Sequence, residues 1–335
     1  ELRPEDKIKA GKTRSFIVLP MEFNLKLREY FGASIGIQHK LAGHISSCVG
    51  INPYTDWEHL YTKLASVATH WEDFDYAEWD RTLSLDWFLM YAERVSEWYA
   101  DGPINKNIRI KLMKQLAYAH VQIGDKIYST SGGNKSGCAI TAEVNTEIQD
   151  MMMVYCWFIL AREHDITKDS LHSFRECNSL LLYGDDQVKA TRNAPWFNGN
   201  NIKPLMDDLG MKITPADKKG TTFILKDPSS VTFLKRSFGE RKGPGLMLCP
   251  LAHASITKMV HYVHKNDDEH AATKMNIDCA VKEMFFHGKE KYELFQNELK
   301  LACRGAQLEA IPIWKDWETL EEEWMDGSID IPQYW

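Results

Sequence analysis

Apolar positions recur along this chain with two different periods, and the switches between them predict its elements. Residues 69–76 alternate as a strand does; from Asp80 onward Leu83, Leu85, Trp87, Phe88, Met90 and Tyr91 follow a helical period. Upstream, residues 21–31 read as a short amphipathic helix, followed by mixed helix and loop to Pro53. Asp101-Gly102-Pro103 breaks the helix begun at Asp80, and residues 108–123 supply another. A strand is predicted over 126–131, then the glycine-rich loop Ser131-Gly132-Gly133-Asn134-Lys135-Ser136-Gly137, then a long helix over 137–161. Leu180-Leu181-Leu182 and Gln187-Val188-Lys189 flank Tyr183-Gly184-Asp185-Asp186, a hairpin signal in which glycine supplies the positive φ and two carboxylates reach the tip of a rigid ribbon. Beyond it come a helix over 202–209, a turn at Thr214-Pro215, strands over 222–225 and 231–234, and mainly helical chain from Pro250.

Composition narrows the class. With 335 residues, 44% apolar and 11% aromatic, the chain can bury one large core or two to three lobes. Its longest apolar run, 151–161, is too short to span a bilayer and predicts a buried helix. Seven scattered cysteines without a C-x-x-C pair read as reduced thiols, neither a zinc site nor a disulfide frame, and His253, His261 and His264 carry no metal-ligand spacing. The net charge of −7 argues against a protein that coats nucleic acid over its whole surface. Yet Arg3, Lys7, Lys9, Lys12 and Arg14 crowd the first fourteen residues, 203–242 are rich in Lys and Arg, and Asp316, Glu318, Glu321, Glu322, Glu323, Asp326 and Asp330 make the tail acidic. Local basic tracks on an acidic body suit a channel. The opening at Glu1, without methionine and directly in a basic segment, reads as a piece of a longer chain.

Paired carboxylates carry the candidate chemistry. A two-metal site for phosphoryl transfer needs carboxylates from separate rigid elements, converging on ions about 3.5–4 Å apart. Asp75, ending a strand, and Asp185, on the hairpin, could supply them, and magnesium takes oxygen ligands without His or Cys. Each group also has a plainer reading: the hairpin tip as a solvated turn, Asp80 as a helix N-cap. Thr141 and Asn145 share a helix face with Gly137 a turn back; an asparagine inside a helix fits recognition of a ribose hydroxyl, or a polar face in solvent.

Taken in order, Asp75-Tyr76-Ala77-Glu78-Trp79-Asp80, Ser136-Gly137-Cys138-Ala139-Ile140-Thr141 through Asn145, and Tyr183-Gly184-Asp185-Asp186 resemble palm motifs A, B and C of picornavirus-like RNA-dependent RNA polymerases. Thr214-Pro215-Ala216-Asp217-Lys218 looks like motif D, Thr232-Phe233-Leu234-Lys235-Arg236 like motif E, and Glu1-Leu2-Arg3 with Lys7, Lys12 and Arg14 like motif F. Six segments in the family's order make a specific signal over residues 1 to about 240; residues 241–335 are assigned by position and helical character.

The resemblance implies an α+β right-hand polymerase, its antiparallel-sheet palm backed by helices. It allots 1–30 to a fingers remnant, 31–116 to palm, 117–133 to a fingers insertion, 134–240 to palm and 241–335 to a mainly helical thumb. It implies RNA-directed RNA synthesis from NTPs on an RNA template and primer, replicating a positive-strand genome. Asp75, Asp185 and Asp186 would hold two Mg²⁺ ions, with Mn²⁺ able to substitute, and Lys218 would act as general acid toward pyrophosphate. Arg3, Lys7, Lys12 and Arg14 would guide the triphosphate; Asp80, Ser136, Thr141 and Asn145 would test the ribose; Gly137, Lys235 and Arg236 would meet RNA. It further implies release from a polyprotein, a genome-linked peptide as primer, other viral replication proteins as partners, and work in the host cytoplasm at membranes reached only through those partners. The match begins inside motif F, so preceding fingertip segments are expected outside this sequence. Two rivals are a reverse transcriptase, disfavoured by Gly184 and the Asp80 and Asn145 pair, and a catalytically silent polymerase fold acting as an RNA-binding scaffold.

Overall fold

The computed structural model describes residues 5–9, 16–218, 220–243, 245–263, 268–306, 308 and 314–329. In chain order the elements run α1 (Glu5–Lys9), α2 (Met21–Lys40), α3 (Pro53–Ala65), β1 (Glu72–Ala77), α4 (Trp79–Thr82), α5 (Leu85–Tyr99), α6 (Pro103–Ala117), β2 (His120–Ile123) and β3 (Lys126–Ser129). They continue with α7 (Thr141–His164), α8 (Leu171–Cys177), β4 (Asn178–Tyr183), β5 (Asp186–Thr191), α9 (Gly199–Asp208), β6 (Lys212–Pro215), β7 (Thr232–Phe233) and β8 (Arg236–Ser237). Last come β9 (Arg241–Gly243), β10 (Leu246–Met247), α10 (His253–His261), α11 (Glu269–Phe285), α12 (Lys289–Gly305) and α13 (Trp317–Met325). Four strands form one sheet in the order β4-β5-β1-β6.

The chain divides into two compact units. The first comprises Glu1–Gly50, Phe74–Gln187 and Thr191–Ile224. Its core is built on α7, whose Val144, Ile148, Met152, Cys156, Trp157 and Leu160 are all buried. A helix apolar on several sides belongs inside, and each fully buried large side chain contributes about 1.5–3 kcal/mol. Leu27 and Phe31 of α2, Phe88 and Tyr91 of α5, and Leu112 and Leu116 of α6 close over it, with Phe31 stacked on Tyr91 at 5.5 Å.

The second unit comprises Ile51–Asp73, Val188–Ala190 and Leu225–Trp335. Trp57 of α3 stacks on Phe233 and Phe238, while Phe285 packs against Trp317 and Trp324. Lys189 bonds Glu72 at 2.8 Å and Lys226 bonds Asp73 at 2.7 Å, all four side chains buried. All seven cysteines are buried thiols in no disulfide, and no helix among the described residues is long and apolar enough to cross a membrane.

Several predicted elements differ, each for a local reason. The helix expected from Asp80 is two: Leu83 turns extended, and its carbonyl accepts Gly133 N–H at 2.8 Å. The helix expected to reach residue 123 ends at Ala117, because His120–Ile123 pairs with Lys126–Ser129 across a Gly124-Asp125 turn in which Gly124 has φ 62°. Thr214-Pro215 lies in strand β6, not a turn; β6 is the sheet's edge, where proline's missing N–H costs no ladder bond. Residues 222–225 form no strand, since the Asn200 amide takes both backbone groups of Phe223, donating to its carbonyl and accepting from its N–H at 2.9 Å each.

Candidate active site

Two of the expected motifs, A and B, meet on one side chain in the first unit. Asp80, in the single turn α4, accepts Asn145 Nδ2 at 2.9 Å on Oδ1 and Ser136 Oγ at 2.8 Å on Oδ2. Asn145 is 6% exposed, and its own Oδ1 accepts Asn134 Nδ2 at 2.9 Å. Asp80 is thus no N-cap: Glu78 holds that position with φ 57°, and the Asp80 carboxylate joins α4 to α7 and the glycine-rich loop. Thr141 turns elsewhere, its hydroxyl donating to Cys138 O at 2.8 Å and Lys135 O at 3.2 Å to close the loop onto α7. At Gly137 a Cβ would lie 2.0 Å from the Ile17 carbonyl oxygen, so the glycine is required by the passing 16–18 backbone.

Asp75 stands near the end of β1, where the alternation leaves it partly exposed. The β1–β6 register sets it opposite Thr214, and four residues on, Lys218 with φ 55° brings its ammonium to Asp75 Oδ2 at 2.9 Å. On the neighbouring strand pair, Gly184 and Asp185 form the two-residue turn between β4 and β5, with Gly184 at φ 64°. Helix α7 braces this turn from behind: Thr146 Oγ1 accepts Gly184 N–H at 2.8 Å, and Gln149 Nε2 donates to Asp185 O at 2.8 Å. Tyr76 donates its hydroxyl to Gln187 Oε1 at 2.8 Å, tying β1 to β5, and burial holds the phenol well above its ordinary pKa. The Asp185 side chain is exposed and that of Asp186 half-buried.

Among the described residues no group of three or more His, Cys, Asp or Glu is set to hold a metal ion. The donors nevertheless fit Mg²⁺ by type and exposure. That ion keeps several waters and takes only one or two carboxylates plus substrate phosphates, which Asp75 and Asp185 can offer at neighbouring strand ends.

Deeper in the unit, Asp150 accepts both arms of Arg175, at 2.8 and 2.5 Å. Burial works against the Asp150 carboxylate, but Arg175, with Arg94 and Ser46, holds its pKa below the ordinary value. Beside it, burial pushes Glu147 up.

Motif E is split between surface and interior. Lys235 is exposed, whereas Arg236 is 6% exposed and bonds Glu283 at 2.6 and 2.8 Å. Arg236 therefore departs from the expected RNA contact: its guanidinium is committed to a buried carboxylate and is not offered to a primer. Arg3, Lys12, Arg14 and the Lys7 side chain lie outside the described residues. Asn134, Lys135, Thr146 and Gln149 are the residues that sequence reasoning passes over; the first two had a signal in their place within a glycine-rich loop.

Comparison with known proteins follows the same lines. Relatives include the RNA1 polyprotein of Satsuma dwarf virus, 30% identical over 299 residues, covering 88% of this chain and 14% of the polyprotein. The replicase polyprotein of Cricket paralysis virus is 28% identical over 323 residues, covering 91% of this chain and 18% of that one. Among solved structures, the Sicinivirus 3Dpol RNA dependent RNA polymerase superposes with a TM-score of 0.82 at 22% identity, over 98% of this chain and 66% of that one, which establishes the right-hand polymerase fold. The chain thus spans less than a fifth of the polyproteins it matches and about two thirds of the matched structure. The family model for viral RNA-dependent RNA polymerase matches residues 1–312, and the chain belongs to that family.

Proposed function

We propose that the chain is the catalytic portion of an RNA-directed RNA polymerase of a positive-strand, picorna-like virus, adding NTPs to the 3′-hydroxyl of an RNA or peptide primer. The observation that carries this reading is the Asp80 carboxylate shared by Ser136 and Asn145, three polar groups from three elements converged on one point, a cluster suited in chemistry to testing a ribose. A 2′-hydroxyl both donates and accepts, so it can enter such a network, and a deoxyribose would leave its groups unpaired.

Asp75 and Asp185, with Asp186 beside them, would hold Mg²⁺ ions. When bound, these neutralise phosphate charge and favour ionisation of the attacking hydroxyl. Lys218 leaves Asp75 to donate a proton to the departing pyrophosphate oxygen. Lys235 meets the primer backbone as a point charge that reads no sequence, and Arg3, Lys7, Lys12 and Arg14 steer the triphosphate. In this reading 1–30 and 117–133 belong to the fingers, 31–116 and 134–240 to the palm, and 241–335 to the thumb. A genome-linked peptide primes synthesis, and the enzyme works in host cytoplasm at membranes reached through other viral proteins.

The test is primer extension on poly(A) with UTP and Mg²⁺, using the chain at its natural length and the same protein with Asp185→Ala. Extension lost on that substitution supports the assignment; no extension by the unsubstituted protein favours an RNA-binding scaffold.

A further inference from the structure

Lys135 lies between the two loop residues that feed the Asp80 network, and it points the other way. Asn134 and Ser136 bond Asn145 and Asp80, while the Lys135 side chain is 2% exposed and donates to three backbone carbonyls: Ala117 at 2.9 Å, Gly132 at 2.8 Å and Gly133 at 2.9 Å. An ammonium has three donors, and all three are used. Burial lowers this lysine's pKa to about 8, the expected penalty for a cation whose partners are neutral carbonyls.

The carbonyls chosen give the arrangement its consequence. Ala117 O is at the C-terminal end of α6, where the helix presents unpaired carbonyls and a partial negative charge. Gly132 and Gly133 are the stretch of loop that lies flat on residues 80–83, at the end of motif A: Gly133 N–H bonds Leu83 O at 2.8 Å and Asn134 N–H bonds Asp80 O at 2.7 Å. Side chains there are excluded, since a Cβ would come within 2.7 Å of Leu83 O at Gly132 and 2.6 Å of Asp80 O at Gly133. One buried cation therefore ties the loop to a helix end on one side, while the loop's own amides tie it to the Asp80 segment on the other.

We propose that Lys135 is a positioning residue for ribonucleotide selection: it fixes the glycine-rich loop so that Ser136 and Asn134 hold the Asp80 and Asn145 side chains in the orientation that tests an incoming ribose. This rests on the polymerase reading above, and its structural half stands without it. Lysine suits the task because a single compact charge can gather three carbonyls at once, where an apolar residue would leave them without their shared donor.

The experiment pairs hydrogen exchange with substrate discrimination in the protein at its natural length carrying Lys135→Met, which keeps the length of the side chain and removes its donors. Exchange of the Gly133 and Asn134 amides should quicken about tenfold or more, the equivalent of one lost net hydrogen bond, while α7 amides keep their protection. The ratio of kcat/KM for ATP over 2′-deoxy-ATP should fall by about tenfold, mostly through KM for ATP, as expected when polar partners are misaligned. If Lys135→Met does not fold, Lys135→Gln, which keeps two donors, is read in the same way and should give smaller changes of the same sign. Unchanged exchange overturns the proposal, and so does faster exchange with an unchanged ratio. Failure of the unsubstituted protein to extend any primer would overturn the polymerase reading instead, and the exchange data would still decide whether the lysine fixes the loop.

Discussion

Replacing Arg236 with Met separates two roles that a motif E arginine can play. Its guanidinium bonds Glu283 Oε1 and Oε2 at 2.6 and 2.8 Å and the Cys249 carbonyl at 2.9 Å, and Glu283 Oε1 also accepts the Tyr54 hydroxyl at 2.6 Å. Arginine and glutamate are 6% and 4% exposed. Removing the cation leaves a carboxylate buried with only a phenol for company, a loss of about 3–5 kcal/mol. Removing both charges with Arg236→Met and Glu283→Leu together should return most of that, because an apolar pair of similar volume is often neutral or stabilising. Urea unfolding measures both. RNA binding is measured alongside as a function of salt: a phosphate contact contributes about 0.7–0.9 to the slope of log affinity against log salt, and the folded Arg236→Met protein should keep the slope of the unsubstituted one. A single substitution that leaves stability unchanged and lowers the slope by about one contact's worth would refute the reasoning and return Arg236 to the primer.

Two further outcomes test the supports of the hairpin and the core behind it. Thr146→Val removes the acceptor of the Gly184 amide at the carboxylate turn; it should cost about 1–3 kcal/mol and raise the Mg²⁺ concentration needed for half-maximal extension, and an unaltered Mg²⁺ dependence would count against a bracing role. Asp150 is held below its ordinary 3.8, against the cost of burial, by Arg175, Arg94 and Ser46, so its contribution to stability is complete above that value and is lost as pH falls through the lower folded pKa. Asp150→Asn should therefore destabilise the protein at neutral pH and flatten the acid limb of its unfolding curve; an unchanged acid limb would show that other carboxylates govern it.

How much of the site is legible in sequence depends on whether a residue's signal is local. The Gly184-Asp185 turn is legible because a two-residue hairpin declares itself in four letters between apolar runs, and the order of the motifs carries Asp75, Asp80 and Asn145 with it. The same reasoning overlooks Gly124-Asp125, an equal signal, because His120-Val121-Gln122-Ile123 is absorbed into the helix expected over 108–123, and the largely exposed strands on either side add no buried apolar run to mark the hairpin. Nothing in Lys235-Arg236 tells which of two adjacent basic side chains faces solvent. That is decided by Glu283, 47 positions along the chain, whose carboxylate makes burial of the second affordable. Lys135 is harder still, for its partners are carbonyls, which every residue possesses and none advertises. The distinction has a physical root. Groups that act on substrate must be chemically distinctive and so leave a mark in the sequence, whereas groups that hold those side chains in place draw on backbone and distant partners, and only the folded chain brings them together.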